Sequence, residues 1–567
     1  MARRDVHFEV FLKKHKKASW TLVEAREDRQ EAMDLAQALV RRHPKGSVRV
    51  QRETWVAEEN AFRGGIIFET GPERFTEPEA KTGEASLPCL TPDDLNGPAA
   101  RETIRRVLSG WFERRQVVPL ELLNRPDLIE ELDGSDTDLQ HAIQKVAVAR
   151  AQSSDASVHA YVRLINELVE KGVEQARREA KAAKKPPKAR GFAELTEKIF
   201  NEGSPEKRLR RAIAERLAEA RDYNGKTALL LDLHDDLPSD PEARAFAEKQ
   251  ADAFIAEMLS FDQTVRAMLG RTDDLGEEVE RLTGVYEGSP NCVELVGAPD
   301  TARRLAEKFA RRQLPSAHIE LAKRILAALR APKRFRPDSV MAEIELARKL
   351  AQRLIAASGP NLHPDSLVDA FTHRSAKLLA PEAVEEALAN TRDPAEQIER
   401  LYKMEDNLVG EQNKKKLAAY VRAKLKTPQT ESFFVRGDGR PLERLARLAA
   451  LQQRAFKGSF PAEDKTELAD AFDQLGMKLL DETKILSAVS GGDRPALDRA
   501  SALLKLAAGG VLPTGRCLQD AQARAMRLLA GEMGRGESAE PANKAKLKDI
   551  QQLMAQLKPA APEEGAA

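Results

Sequence analysis

From "ARETIRRVLSGWFERR", which begins at Ala100, almost to the carboxyl end, apolar residues return every three to four positions. That period matches one face of a helix and no strand, so most of this chain can fold only as amphipathic helices. The residue supply agrees, since the chain is rich in Ala, Leu, Arg, Glu and Lys and only 5% aromatic. A helix with a single apolar stripe must bury it against a neighbour. At 567 residues there is too much chain for one core, and domains of roughly 100 to 200 residues imply three to five units.

The first 70 residues obey a different rule. "HFEVFLKKHKKASWTLVEA" holds two short runs rich in Phe, Val, Leu and Trp around a basic connector, the pattern of a β-hairpin. A helix follows, with Asp28 as its cap, Glu31 in the capping-box position, and Ala32, Leu35, Ala36, Leu39 and Val40 as its stripe. "SVRVQRETWV" then alternates with period two and "GGIIFE" adds another apolar run, which completes a ββαββ unit. The fold class expected is therefore mainly α, with a small amino-terminal α/β domain followed by a multi-bundle helical array.

Composition sets the divisions. Residues 71–98 are dense in Pro, Gly and acid, with too little apolar surface to offset the entropy of ordering them, and are expected to be a linker. A helical segment at 99–175 leads to a basic linker at 176–192, where Pro186 and Pro187 interrupt any helix. Three helical units are then expected at 193–300, 301–415 and 416–533, with a flexible tail at 534–567 that contains one amphipathic stretch, "KLKDIQQLMAQL".

The three units rest on an internal similarity. "ADAF" at 251–254, "VDAF" at 368–371 and "ADAF" at 469–472 each open a helix, break, helix pattern. Phe254, Met258, Phe261, Val265 and Met268 fall at helical spacing in the first copy. Asp274 with Glu277 and Asp393 with Glu396 read as cap and third residue of the next helix, while the third copy keeps Asp493 and lacks the glutamate. Arg281, Arg400 and Arg499 stand 27, 29 and 27 residues beyond Phe254, Phe371 and Phe472. What recurs is an aromatic, small residues, an aspartate and caps, which points to architecture and leaves Asp252, Asp369 and Asp470 as solvated or capping residues.

Several stretches imitate chemistry. "FTHRSAKLL" with the later "ERLYKMEDNLVG" resembles the ribonuclease III family, whose pattern Glu399, Arg400, Leu401 and Asp406 match. Tyr402 stands where that family has a metal-binding glutamate and Glu405 where it has a glycine, so the chain is not assigned to it. Gly225, Lys226 and Thr227 imitate the end of a phosphate-binding loop, but Ala220 occupies the required glycine position and the segment reads as a turn. Asp232, His234, Asp235, Asp236 and Asp240 offer oxygen and nitrogen ligands in a short span, as a metal-dependent hydrolase needs. Trp20 and Trp55 read as strand residues of the small domain's core, and "RGD" at 436–438 as a chance match in a Gly-rich turn.

Charge narrows the partners. Lys plus Arg count 91 and Asp plus Glu 90, so the chain as a whole has no attraction for nucleic acid or a membrane surface. Local attraction is confined to Lys13, Lys14, His15, Lys16 and Lys17 and to the basic linker, which are the candidate partner-binding residues. Cys89, Cys292 and Cys517 lie far apart, which suits a reducing cytoplasm, and no signal peptide, membrane anchor, cofactor or metal motif is read. The resulting expectation is a cytoplasmic, bacterial scaffold or regulatory adaptor that binds a protein partner on helical surfaces, with nucleic-acid association and metal-dependent hydrolysis as the alternatives.

Overall fold

The computed structural model describes residues 6–14, 20–44, 46–56, 61–70, 89–135, 137–152, 157–182 and 187–557, with the backbone alone at 53–56, 61–65 and 182. The chain forms two compact units, Met1–Pro88 and Cys89–Ala567.

The first unit has the expected ββαββ order: β1 (Val6–Lys13), β2 (Thr21–Arg26), α1 (Arg29–Arg42), β3 (Ser47–Val56) and β4 (Ala61–Thr70). Its antiparallel sheet runs β2-β1-β3-β4. Alternation puts Phe8, Val10, Leu12, Val48 and Val50 on one face, against Ala32, Ala36 and Leu39 of α1. Asp28 caps α1 by accepting from the Gln30 and Glu31 amides, as its position predicts. Trp20 departs from expectation. It precedes β2, half-buried, with the Arg49 guanidinium 4.7 Å from its ring centre and Arg49 paired to Glu69 at 3.2 Å. The side chain of Trp55 lies outside the described residues.

The described residues of the second unit form helices joined by loops, with one isolated bridge between Gly359 and Leu362. The unit opens with α2 (Pro98–Val107), α3 (Ser109–Arg115), α4 (Pro119–Asn124), α5 (Pro126–Asp133), α6 (Thr137–Gln152) and α7 (Val158–Ala182). It continues with α8 (Phe192–Phe200), α9 (Pro205–Leu217), α10 (Tyr223–Asp235), α11 (Pro241–Leu259), α12 (Asp262–Leu269), α13 (Leu275–Tyr286), α14 (Asp300–Ala310) and α15 (Pro315–Arg330). Next come α16 (Val340–Ala356), α17 (Pro364–Leu378), α18 (Pro381–Ala389), α19 (Pro394–Asn407), α20 (Glu411–Leu425) and α21 (Pro428–Glu431). A π-helical turn at Ser432–Arg436 leads to α22 (Pro441–Lys457), α23 (Ala462–Thr483), α24 (Ile485–Ser490), α25 (Ala496–Ala508), α26 (Arg516–Ala530), α27 (Glu532–Ala539) and α28 (Lys544–Gln556).

Eleven of these helices begin on proline, which explains how a chain with 30 prolines is so helical: at the first position the missing N–H has no partner to lose. The apolar stripe from Phe254 to Met268 is buried as expected, but on two helices, because the chain breaks at Ser260 and Phe261 between α11 and α12. Two further differences follow from strong helix formers. "EQARREAKA" carries α7 through Ala182, into the stretch read as a basic linker. In the stretch read as a flexible tail, α27 and α28 form; residues 558–567 lie outside the described residues.

Two clusters of buried side chains fill this unit, one running from Leu108 to Phe371 and the other from Val340 to Ile550. Helix α16 serves both, giving Leu346, Leu350 and Leu354 to the first and Val340 and Ile344 to the second.

Candidate functional site

The acidic cluster around His234 does not converge on a point. It sits at the end of α10, where one helical turn sends its members in different directions. Asp232 and Asp235 pair with Arg304 at 2.8 and 2.7 Å, and Asp235 also with Lys308, all reaching across to α14. These two cations hold the Asp235 carboxyl below its usual range against the opposing effect of burial. Asp236 accepts from the Phe192 and Ala193 amides at the start of α8, and Asp240 caps α11 through the Ala243 amide. His234 points inward. It is 2% exposed with no hydrogen-bond partner on either ring nitrogen, and burial, reinforced by Lys308, pushes its pKa down to about 4. Among the described residues no group of three or more His, Cys, Asp or Glu side chains is placed to hold a metal ion.

The other imitations dissolve in the same way. Gly225, Lys226 and Thr227 occupy the first turn of α10 and not a turn between elements. The Lys226 ammonium is 3% exposed and donates to both oxygens of the buried Glu121, at 2.7 and 2.9 Å, and to the Gln116 carbonyl. Arg374 of the "THRS" stretch is buried with its guanidinium 3.7 Å from the centre of the Phe335 ring, donating to the carbonyls of Lys333 and Ala328. Ser375 accepts from the Val409 amide, and the Tyr402 hydroxyl donates to the Leu451 carbonyl. Of the basic connector, Lys13 ends β1 and Lys14 is exposed beside it; His15, Lys16 and Lys17 lie outside the described residues.

The three motif aspartates differ. Asp252 is buried and accepts from the Ser316 and Ala317 amides, which caps α15; Asp369 is exposed and paired with Arg330 at 2.7 Å; Asp470 is exposed. The three arginines agree. Arg281 on α13 donates to the Leu269 carbonyl at the end of α12, Arg400 on α19 to Ala387 at the end of α18, and Arg499 on α25 to Ser490 at the end of α24. Each satisfies a carbonyl that a short helix leaves without a partner. The caps agree in the first two copies, whereas Asp493 of the third stands exposed two residues before Pro495, which occupies the cap position of α25. Asp274 accepts from the Glu277 amide, and Asp393 from Ala395 and Glu396. At α25, where the local glutamate is missing, Glu537 of α27 accepts from the Ala496 and Leu497 amides instead.

These arginine-bearing helices share a further property: each is covered by a later helix. Helix α16 packs on α13, α22 on α19, and α28 on α25. Every junction puts bases on the arriving side and acids on the receiving helix. Arg336, just before α16, meets Asp274 and Glu280 at 2.7 and 2.8 Å, while Lys349 and Arg353 of α16 meet Glu280 and Glu287 at 2.9 and 2.6 Å. Arg447 of α22 meets Asp393 at 2.9 Å, and Arg454 pairs with Asp406. Lys546 of α28 meets Asp498 at 2.6 Å. A polar recess of about 370 Å³ opens between α16 and α19, lined by Met341, Glu345, Arg348, Gln352, Lys403 and Asn407 among others. None of these faces was singled out from the sequence, although the arginine spacing identified the receiving helices.

Comparison with protein-family models, curated proteins and solved structures finds no match for this chain. No helix among the described residues is long and apolar enough to cross a membrane.

Proposed function

We propose that this chain is a protein-binding scaffold or regulatory adaptor whose helical array, built from degenerate copies of one unit, accepts amphipathic helices on acid-lined faces. The observation that supports this most is the repeated junction, in which α13, α19 and α25 each take a helix that brings apolar residues and a base. Docking a foreign helix uses the same physics: apolar anchors supply the burial, and the charge pair sets register. Apart from the buried, unpartnered His234, polar side chains that looked chemical in the sequence are engaged in capping and pairing, as Asp236, Asp252 and Lys226 are.

The test is capture of tagged full-length protein from native lysate at low and high salt, with and without nuclease, followed by crosslink mapping. A retained protein whose crosslinks fall in 89–567 and survive both treatments is the expected result. Retention that vanishes with nuclease would reject the reading in favour of nucleic-acid association through Lys13, Lys14 and their neighbours.

A further inference from the structure

The three arriving helices differ in how much of themselves they bury: seven residues of α16 and six of α22 are buried, spread over contacts with several helices, but only Ile550 of α28, which lies along α25 with most of its surface exposed. The ion pairs follow the same order. Four link the α16 side to α13, two link α22 to α19, and among the described residues Lys546 with Asp498 is the single one between α28 and α25, with both side chains well exposed. The α19 junction has in addition the buried hydrogen bond from Tyr402 to Leu451 of α22. Helix α28 joins α27 through the short 3₁₀ turn Pro541–Asn543. Helix α27 is anchored independently by Glu537 at the start of α25. So α28 can leave without taking the cap of α25 with it.

We infer that the face of α25 beneath α28 is a docking site for an amphipathic helix of a partner protein, with α28 as its resident, displaceable occupant. This rests on the scaffold reading above and assigns it a site and a control. The resident defines the ligand. Ile550 is buried at the centre, and Leu547, Met554 and Leu557 pack partly buried around it, an apolar stripe at i, i+3, i+7 and i+10. Lys546 precedes the first of these and meets Asp498. A competing helix therefore carries the same stripe and a base immediately before it. Because α28 is tethered, it competes at the high effective concentration of an intramolecular ligand, so the free chain is closed and a partner must bind more strongly than α28 or wait for it to open.

The experiment uses the full chain and a fluorescent peptide of residues 541–557 as the probe. Native-state hydrogen exchange should show the amides of 544–556 exchanging at least about tenfold sooner than those of 496–508. The Ile550→Asp chain, with α28 released, should bind the peptide at least about tenfold more tightly than the parent chain, and the peptide carrying Ile550→Asp should not bind. Exchange of α28 in step with α25 would overturn the inference, as would a folded Ile550→Asp chain that ignores the peptide. Global unfolding of that variant would show α28 to be an integral part of the core, which also overturns it. Sedimentation that shows the variant associating with itself would replace the partner helix by a second copy. Capture experiments test the scaffold role separately, so a chain that retains no protein yet takes the peptide would count against that role and leave the opening of α28 established.

Discussion

Arg281 is 9% exposed and joins three groups: the carbonyls of Leu269 and Arg271 and the carboxylate of Glu277. Replacing it with methionine keeps the buried stem and strands those carbonyls, so Arg281→Met should lower stability by about 2 kcal/mol in denaturant titration. Arg303→Met, which removes an exposed partner of Asp300 at 3.7 Å, should change it by less than about 0.5 kcal/mol. His234 predicts a pH effect. Its folded pKa of about 4 lies below the ordinary value near 6.5, so between these limits the unfolded chain binds the extra proton. Stability should therefore be full above pH 6.5 and fall by on the order of 3 kcal/mol towards pH 4, and His234→Leu should flatten that part of the curve. His318, also pushed down by burial, contributes with the same sign. The arginine series was legible because its spacing is local to each segment. The burial of His234 was not, because Lys308 and the rest of α14 arrive some seventy residues later.

Helix ends show the same division. Asp28, Asp274 and Asp393 cap helices within three residues of themselves and were readable as such. Asp252, Asp473 and Glu537 do the same for α15, α26 and α25 from 40 residues away or more, and nothing in the adjacent sequence signals it. Asp252→Ala should therefore cost about 1 to 2 kcal/mol of stability, while Asp470→Ala, at the equivalent place in the third motif but exposed, should be nearly neutral. Equal effects in a thermal melt would mean that the motif aspartate has one role in every copy. The decoys failed at this scale too. Lys226 and Arg374 carry the right letters for phosphate and nuclease chemistry, but each lies on a buried helix face, committed to Glu121 and to the Phe335 ring.

For the molecule as a whole, the division at Pro88 predicts two independent unfolding events. Calorimetry of residues 1–88 and 89–567, expressed separately, should reproduce the two transitions of the full chain within a few degrees; a single transition seen only in the full chain would show that the units stabilise each other. The fold class was legible because period and composition persist over hundreds of residues. The pairing of receiving and arriving helices was not, because it depends on which stripe meets which. The long-distance caps carry a consequence for how the protein is made. While the ribosome is still short of residue 537, the start of α25 has no carboxylate to receive its amides, although α23 and α24 are already complete. The start of α25 thus gains its cap only once α27 has emerged, and a message cut shortly before that codon would deliver a chain that lacks this clasp.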